Sequence, residues 1–450
     1  MTVVGKAMGG TGSGPASQQD MRRRNLSVVL GAVAAHGRRS DPLADPLPGP
    51  SSEPSPERSP GPPSDGYRPL SRADVAGRVG LTRAAVSSLV DELIGRGALT
   101  EAETASGGRV GRPGRALAVS DEGPAGLGLE IGVTHLGACV ADLRGVPRVW
   151  RRVERSNAGR PAGQVLAEVA ALAAEAEAEA AGLGLTVAGR VLAVPGVVPN
   201  GPGGRVERAP NLGWHAVRLA DHWPDPATVP EPENEANLGA LAEYWNAGQP
   251  AETFVHVSAE AGIGAALVID GQLFRGARGF AGELGHVPVH PEGLACACGA
   301  RGCLEQYAGQ AAVLREAGLR PRDPARHGPA PSGAAALPGD PVALLAEWAG
   351  AGHRPTLDAL DRAGRALGLA LASAVDLMDP DGLVLGGTYA ELAAWLLPSV
   401  RAELADRVTV RPWDPEALRP SALGRRGPVL GAAQTTIRRI MADPTLLPAG

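Results

Sequence analysis

Three cysteines, Cys296, Cys298 and Cys303, fall within eight residues on the Gly-rich stretch GLACACGARGC. Three thiolates and one imidazole complete the four-coordinate tetrahedral shell that structural zinc prefers. His286, ten residues upstream of Cys296, is the leading fourth ligand, and spacing alone does not exclude His290. A disulfide reading fits less well: Cys139 is far away, one loop thiol is always left over, and cysteines one residue apart bridge badly. A short Gly-rich loop cannot fix its own side chains, whereas a bound ion can, so the cluster predicts a metal that organises whatever the loop presents.

A chain of 450 residues holds two or three domains with separate cores. Lysine occurs once, at Lys6, so arginine carries nearly all the positive charge, and the net charge of −5 predicts solubility and nothing sharper. No apolar run approaches the roughly 20 residues of a membrane span, and no apolar core follows the N-terminal charges as a signal peptide requires. The expected compartment is the cytoplasm, where reduced thiols suit a metal site better than a disulfide.

Residues 1–19 lack periodicity and read as a disordered tail. Leu26, Val29, Leu30 and Val33 then recur at helical spacing until His36-Gly37. Residues 38–68 are dense in Pro and Ser, which reads as a flexible insert. Beyond it, Ser71 with Asp74 forms a capping-box variant, the helix stops near Gly80, and Thr82 caps a second helix. Val86, Leu89, Val90, Leu93 and Ile94 make one buried stripe of that helix. Its opposite face carries Thr82, Arg83, Ala84, Ser87 and Ser88, where a recognition helix meets base edges. A strand at residues 98–101, the tip GGRVGRPGR and a return strand at 116–119 complete a winged helix-turn-helix. Arg109, Arg112 and Arg115 on that tip can reach phosphates or a narrow minor groove. Residues 20–120 therefore read as a DNA-binding domain.

From residue 126 strands and helices alternate. Strands are predicted at 127–133, 137–140, 187–194, 253–257, 265–269 and 382–385, with helices at 163–181 and 357–377 and a partly disordered insert from 320 that leads into a helix before 355. The class is α/β, in two lobes at about 126–245 and 246–446.

The run GELGH, then CACG, then GCLE resembles the signature of the ROK family, which contains sugar-responsive repressors and sugar kinases. The resemblance spans residues 21–120 and 126 to about 440 apart from the two inserts, and it implies a two-lobed ribonuclease H-like, actin-like ATPase fold with a structural metal. It implies sugar-binding roles for Asn211, Asn234, Glu235, Glu283, His286 and Glu305, with His286, Cys296, Cys298 and Cys303 holding zinc. Vicinal hydroxyls want such alternating donors and acceptors, and one carboxylate can accept from two of them.

Kinases of the family carry Asp-x-Gly-x-Thr, Asn-Asp-x-Asn and Gly-Thr-Gly-x-Gly, and this chain departs from all three. It has Glu130-Ile131-Gly132-Val133-Thr134, Asn234-Glu235-Ala236-Asn237 and Glu260-Ala261-Gly262-Ile263-Gly264. One methylene moves a carboxylate by about 1.5 Å, and displacements near 1 Å can cost on the order of a hundredfold. Glu260 also sets an anion where a phosphate should approach. Gly386-Gly387 resembles the adenosine-side turn and is intact. The Asn-Glu-x-Asn variant resembles the xylose-repressor branch. The resemblance thus implies a sugar-responsive repressor that binds operator DNA as a homodimer or homotetramer and is not an enzyme. The competing reading is an ATP-dependent hexose kinase that retains a DNA-binding domain.

Overall fold

The computed structural model of the chain describes residues 17–37, 70–103, 115–201, 203–247, 251–319 and 340–449. They divide into two compact units, a smaller one within Met1–Arg39, Glu57–Pro124 and Ile437–Gly450, and a larger one whose described part lies within Ala125–Thr436. The Pro/Ser insert at 38–68 and most of the insert after 320 lie outside the described residues. Among the described residues, no helix is long and apolar enough to cross a membrane.

The smaller unit contains α1 (Gln18–Gly37), α2 (Arg72–Val79), α3 (Arg83–Gly95) and the antiparallel pair β1 (Leu99–Glu103) and β2 (Arg115–Val119). The helical stripes read from the sequence are its core: Leu26, Val29, Leu30 and Val33 of α1 are buried, as are Val86, Leu89, Val90 and Leu93 of α3. Ser71 and Asp74 form the reciprocal capping box, Gly80 turns left-handed at φ 69°, and the Thr82 side chain accepts the N–H of Ala85. Arg72 ties three elements together, with Asp91 on α3 and Glu101 on β1 each 2.7 Å away. The last residues of the chain also belong here: the Ser27 hydroxyl donates to the Met441 carbonyl at 2.8 Å, and Arg96 donates to that of Leu447. The sequence pattern placed residues up to 446 with the α/β domain instead. Contacts this distant in sequence leave no mark on local periodicity.

The larger unit is built on two five-stranded sheets with the same plan. The first uses β3 (Gly123–Ile131), β4 (His135–Asp142), β5 (Pro147–Glu154), β6 (Leu185–Val194) and β9 (Glu231–Asn234), in the order β5-β4-β3-β6-β9. A hairpin of β7 (Arg205–Ala209) and β8 (Trp214–Arg218) stands beside it in the chain. The second uses β10 (Phe254–Ala259), β11 (Ile263–Ile269), β12 (Gln272–Phe274), β13 (Gly382–Gly387) and β14 (Leu418–Pro420), in the order β12-β11-β10-β13-β14. Each sheet is an antiparallel meander extended by two more strands, with β6 and β9 parallel in the first and β10, β13 and β14 parallel in the second. This is a mixed-sheet α/β fold.

The helices are α4 (Ala162–Gly182), α5 (Glu235–Asn246), α6 (Glu305–Ala308), α7 (Gln310–Glu316), α8 (Pro341–Gly350), α9 (Arg354–Met378), α10 (Thr388–Glu391), α11 (Ala393–Arg407) and α12 (Gly427–Ala442). Helix α4 buries Val165, Leu166, Val169 and Leu172 in the core of the first sheet, and α9 buries Leu360, Leu367 and Leu371 in that of the second. Strands β5, β9 and β12 escape sequence reading for a physical reason. The first is mostly half-buried and arginine-rich (PRVWRRVE), and the others span four and three residues, too few to show a period of two.

Candidate functional site

The cysteine loop closes on itself through glycine. Gly299 and Gly302 adopt φ of 96° and 71°, and a Cβ on Gly302 would lie 1.6 Å from the His290 carbonyl oxygen. Those turns let Cys296 donate its N–H to Ala300 and Gly302 donate to Leu294, which folds Cys296 and Cys298 over Cys303. The ligand atoms of His286, Cys296, Cys298 and Cys303 all lie within 4.8 Å of one another. Sγ of Cys298 is 3.7 Å from that of Cys303, and Nδ1 of His286 is 3.9 Å from Sγ of Cys296. Zinc–sulfur bonds of about 2.3 Å in a tetrahedron give sulfur–sulfur edges near 3.8 Å, so the spacing fits a metal, whereas a disulfide needs about 2.05 Å. The rival His290 stands outside this group, edge-on to the Tyr307 ring at 4.6 Å, so His286 is the imidazole of the cluster. Gln306, which the sequence reading missed, donates to Cys296 Sγ at 3.7 Å from the first turn of α6.

His286 faces two ways. Its Nδ1 points at the thiols, and its Nε2 lies 3.9 Å from Oε2 of Glu283. Burial raises the Glu283 carboxyl, with Glu305 adding to the rise and His286 and Arg208 opposing it. Glu305, at the start of α6, accepts the N–H of Ile263 at 3.2 Å. Asn211 comes from the short 3-10 turn Pro210–Leu212. A Cβ built on Gly262 would meet Glu305 Oε2 at 2.6 Å and Asn211 Nδ2 at 3.0 Å. Glu283, His286, Glu305 and Asn211 therefore gather around the turn that joins β10 to β11.

Asn234 does something more local. Its Oδ1 accepts the N–H groups of Ala236 and Asn237 as the N-cap of α5, and its Nδ2 donates to the Gly196 carbonyl at 2.8 Å. Both ends of the amide are engaged, so its visible work is to set the direction of Glu235. That carboxyl is pushed up to about 8, by burial first and then by the charges of Glu130 and Glu260. Glu260 is pushed up to about 7 by burial, against Arg425, His135 and Arg152, with Glu130 reinforcing the rise.

Glu130, Glu235 and Glu260 thus face one another. Glu130 is 3% exposed and its Oε1 lies 3.3 Å from Nε2 of His135, which is 2% exposed. The His135 ring lies across Gly132, where a Cβ would approach it to 2.1 Å. Asn157 holds this turn by donating to the carbonyls of Gly132 and His135 at 2.8 and 3.0 Å. On the far side, Gly387 takes φ 56°, and a Cβ there would fall 2.3 Å from the Ala259 carbonyl oxygen. Arg425 joins this group, although no pattern in its surroundings (LGRRGP) marks it.

In the smaller unit, Thr82, Arg83, Ala84 and Ser88 are exposed along one face at the start of α3, and Ser87 is half-buried with its carbonyl held by Arg72. Arg115 is 69% exposed, 3.4 Å from Glu101. Arg109 and Arg112 lie outside the described residues.

Comparison with known proteins covers both units. A model of the ROK family matches residues 126–439. The xylose repressor of Bacillus subtilis (strain 168) is 29% identical over 379 residues, covering 82% of this chain and 91% of that protein. The crystal structure of a ROK family transcriptional regulator, a homologue of the E. coli MLC protein, superposes with a TM-score of 0.67 at 22% identity and covers 95% of this chain and 98% of its own. A ROK family glucokinase from Streptomyces griseus, solved with glucose and AMPPNP, gives a TM-score of 0.56 at 28% identity and covers 69% of this chain and 98% of its own.

Proposed function

Because this chain belongs to the ROK family, we propose that it is a sugar-responsive transcriptional repressor which releases operator DNA when a monosaccharide binds. The observation that carries this reading is the contrast inside the site. The sugar-facing carboxylates, imidazole and amide converge, while the phosphate-facing positions hold Glu130, Glu235 and Glu260 facing one another. Any of these carboxyls that is ionised repels the triphosphate that a kinase must seat. The extra N-terminal elements favour the same reading. The relatives that cover 82% and 95% of the chain are regulators by name, whereas the glucokinase covers 69% of it.

In this proposal the smaller unit is a winged helix-turn-helix. Thr82, Arg83, Ala84, Ser87 and Ser88 meet bases, and Arg109, Arg112 and Arg115 meet phosphates. The larger unit is an actin-like pair of lobes in which Asn211, Asn234, Glu235, Glu283, His286 and Glu305 address sugar hydroxyls. Zinc held by His286, Cys296, Cys298 and Cys303 is structural, fixing the loop from which Glu283 and His286 reach the sugar. The active form is a homodimer or homotetramer on a two-fold symmetric operator.

Linkage makes the switch testable. If a sugar weakens operator binding by some factor, the operator must weaken sugar binding by the same factor, typically about 5- to 150-fold. Titrating D-xylose and D-glucose against free and operator-bound protein measures both directions. Equal sugar affinity in the two states would overturn the repressor reading, because a ligand without preference shifts neither state. Phosphoryl transfer from ATP to either sugar at ordinary kinase rates, roughly 1–100 per second, would establish the kinase instead.

A further inference from the structure

We propose that Arg425 is a positioning residue for the sugar site: by neutralising Glu260 it holds the β10–β11 turn where Ile263 can give its N–H to Glu305. The inference deepens the effector reading and rests on it for the identity of the ligand, though not for the geometry of the turn.

One end of the turn is gripped by charge. Arg425 sits in the 3-10 turn Gly424–Arg426 that leads into α12, with its side chain 16% exposed. Its Nε is 3.6 Å from Glu260 Oε1 and 3.0 Å from Glu391 Oε1 at the end of α10, and its Nη1 is 2.9 Å from Oδ2 of Asp340, the N-cap of α8. Three carboxylates from three separate elements converge on one guanidinium. Asp340 takes a hydrogen bond from Nη2 at 3.2 Å, whereas Glu260 and Glu391 both approach Nε, which makes no hydrogen bond among the described residues, so their attraction to the guanidinium is one of charge. Glu391 and Asp340 are 41% and 39% exposed, so water can screen them if the arginine leaves. Glu260 is 21% exposed and has fewer resources. Its other basic neighbours are Arg152 and His135, and they are opposed by Glu130 and by Glu235, whose own carboxyl feels the Glu260 charge.

The other end is gripped by the sugar residues. Ile263 donates to Glu305, and Gly262 packs against Glu305 and Asn211 so closely that an added Cβ would push their ends aside. Between the two ends the chain is short and stiff: Glu260 donates its N–H to the Gly262 carbonyl at 3.1 Å. A shift of Glu260 is therefore passed to Gly262 and Ile263 instead of being absorbed by a flexible loop. Where the phosphate loop of the kinase pattern would be held by its nucleotide, this chain holds the same turn with its own arginine.

The test uses full-length protein and hydrogen exchange of the β10–β11 turn, read as the ratio of variant to wild type at each pH. Arg425→Ala is expected to speed exchange of the Ile263 amide about tenfold or more at pH 8 while leaving amides of β3 unchanged. Lowering the pH to 6 should restore protection, because Glu260, whose carboxyl rises further once Arg425 no longer lowers it, is then fully protonated and needs no counter-ion. Arg425→Lys should fall between the two. If Arg425→Ala does not fold, Glu260→Gln remains informative: it should keep the turn protected at every pH, and Arg425→Ala on that background should add nothing. An unchanged turn at pH 8, a loss independent of pH, or a loosened turn in Glu260→Gln alone each overturns the proposal. Calorimetry with D-xylose and D-glucose then separates the two readings. Arg425→Ala should weaken whichever sugar binds about tenfold at pH 8 and not at pH 6. A turn that loosens as described in a protein that binds neither sugar would leave the latch standing and remove the effector reading.

Discussion

The metal side and the phosphate side of the site are assembled in opposite ways. On the metal side, donors from His286 to Cys303 come from one continuous stretch, and three soft thiols and an imidazole converge so that they could hold a single cation. On the phosphate side, Glu130, His135, Glu260, Asp340, Glu391 and Arg425 arrive from distant parts of the chain, Asp340 and Arg425 being 85 residues apart. The first is a short ring closed by coordination, and the second is a charge network closed by tertiary folding. A ring of this kind fails as a whole when one ligand is lost. A network fails by degrees, according to how deeply each charge is buried.

The largest effect should come from the ring. Cys298→Ser is expected to lower metal affinity by more than the roughly 10- to 100-fold that outer-shell changes cost, and to abolish any sugar response while operator binding persists. Metal content by mass spectrometry and calorimetry with D-xylose and D-glucose check both halves. Full sugar affinity in metal-free protein would show that the two sides are independent.

The junction between the two sides is Gly262, and Gly262→Ala sharpens the comparison there. The new methyl meets only the ends of two side chains, Glu305 and Asn211, which can swing aside at small cost to stability. Sugar affinity should nevertheless fall about tenfold, since displacements near 1 Å at a positioned group can cost on the order of a hundredfold. An unfolding curve close to wild type together with weakened sugar binding is the expected pair of results.

The network should reveal itself through pH. The Glu235 carboxyl is raised to about 8 from an ordinary value of 4.5, so the folded protein binds that proton more tightly than the unfolded chain does. The stabilisation is complete below the unfolded value and is lost as pH rises through about 8. Denaturant titrations should therefore show stability falling between pH 5 and pH 8, by no more than about 1.4 kcal/mol per pH unit for this group. Glu235→Gln should flatten that slope. The metal loop needs its thiols deprotonated and predicts the opposite trend for metal affinity, which should rise with pH.

The smallest effect belongs to charge pairs outside the network. Arg155 bridges to Glu168 at 2.8 Å with side chains 51% and 33% exposed. Arg155→Ala should change stability by about 1 kcal/mol or less, the range of exposed pairs. A larger loss would mean that burial is the wrong measure for ranking these interactions.

Much of the molecule was legible before folding. The stripes of α1 and α3, the caps at Ser71 and Thr82, and the three inner strands of each sheet all follow from periodicity and local hydrogen bonding. The cysteine loop was legible because its ligands lie close together in the chain and their chemistry is rare. Helix α5 and the hairpin of β7 and β8 were not, because the first is buried on most of its surface and the second is short and partly exposed, so neither shows a clean period.

The sequence by itself determined the ligand types, the alternation of strands and helices, and the three glutamates of the site. It left open which histidine completes the cluster, and tertiary structure decided this by turning His290 against Tyr307 and His286 toward Cys296. The counter-charge for Glu260 was also decided by tertiary structure. Any arginine in the chain could have supplied it, and the packing of the turn before α12 brings Arg425 to Glu260, Glu391 and Asp340. The physical reason is range. Helix stripes, caps and chelating loops depend on neighbours a few residues away, whereas the balance of buried charge depends on distances in space, which sequence spacing does not encode.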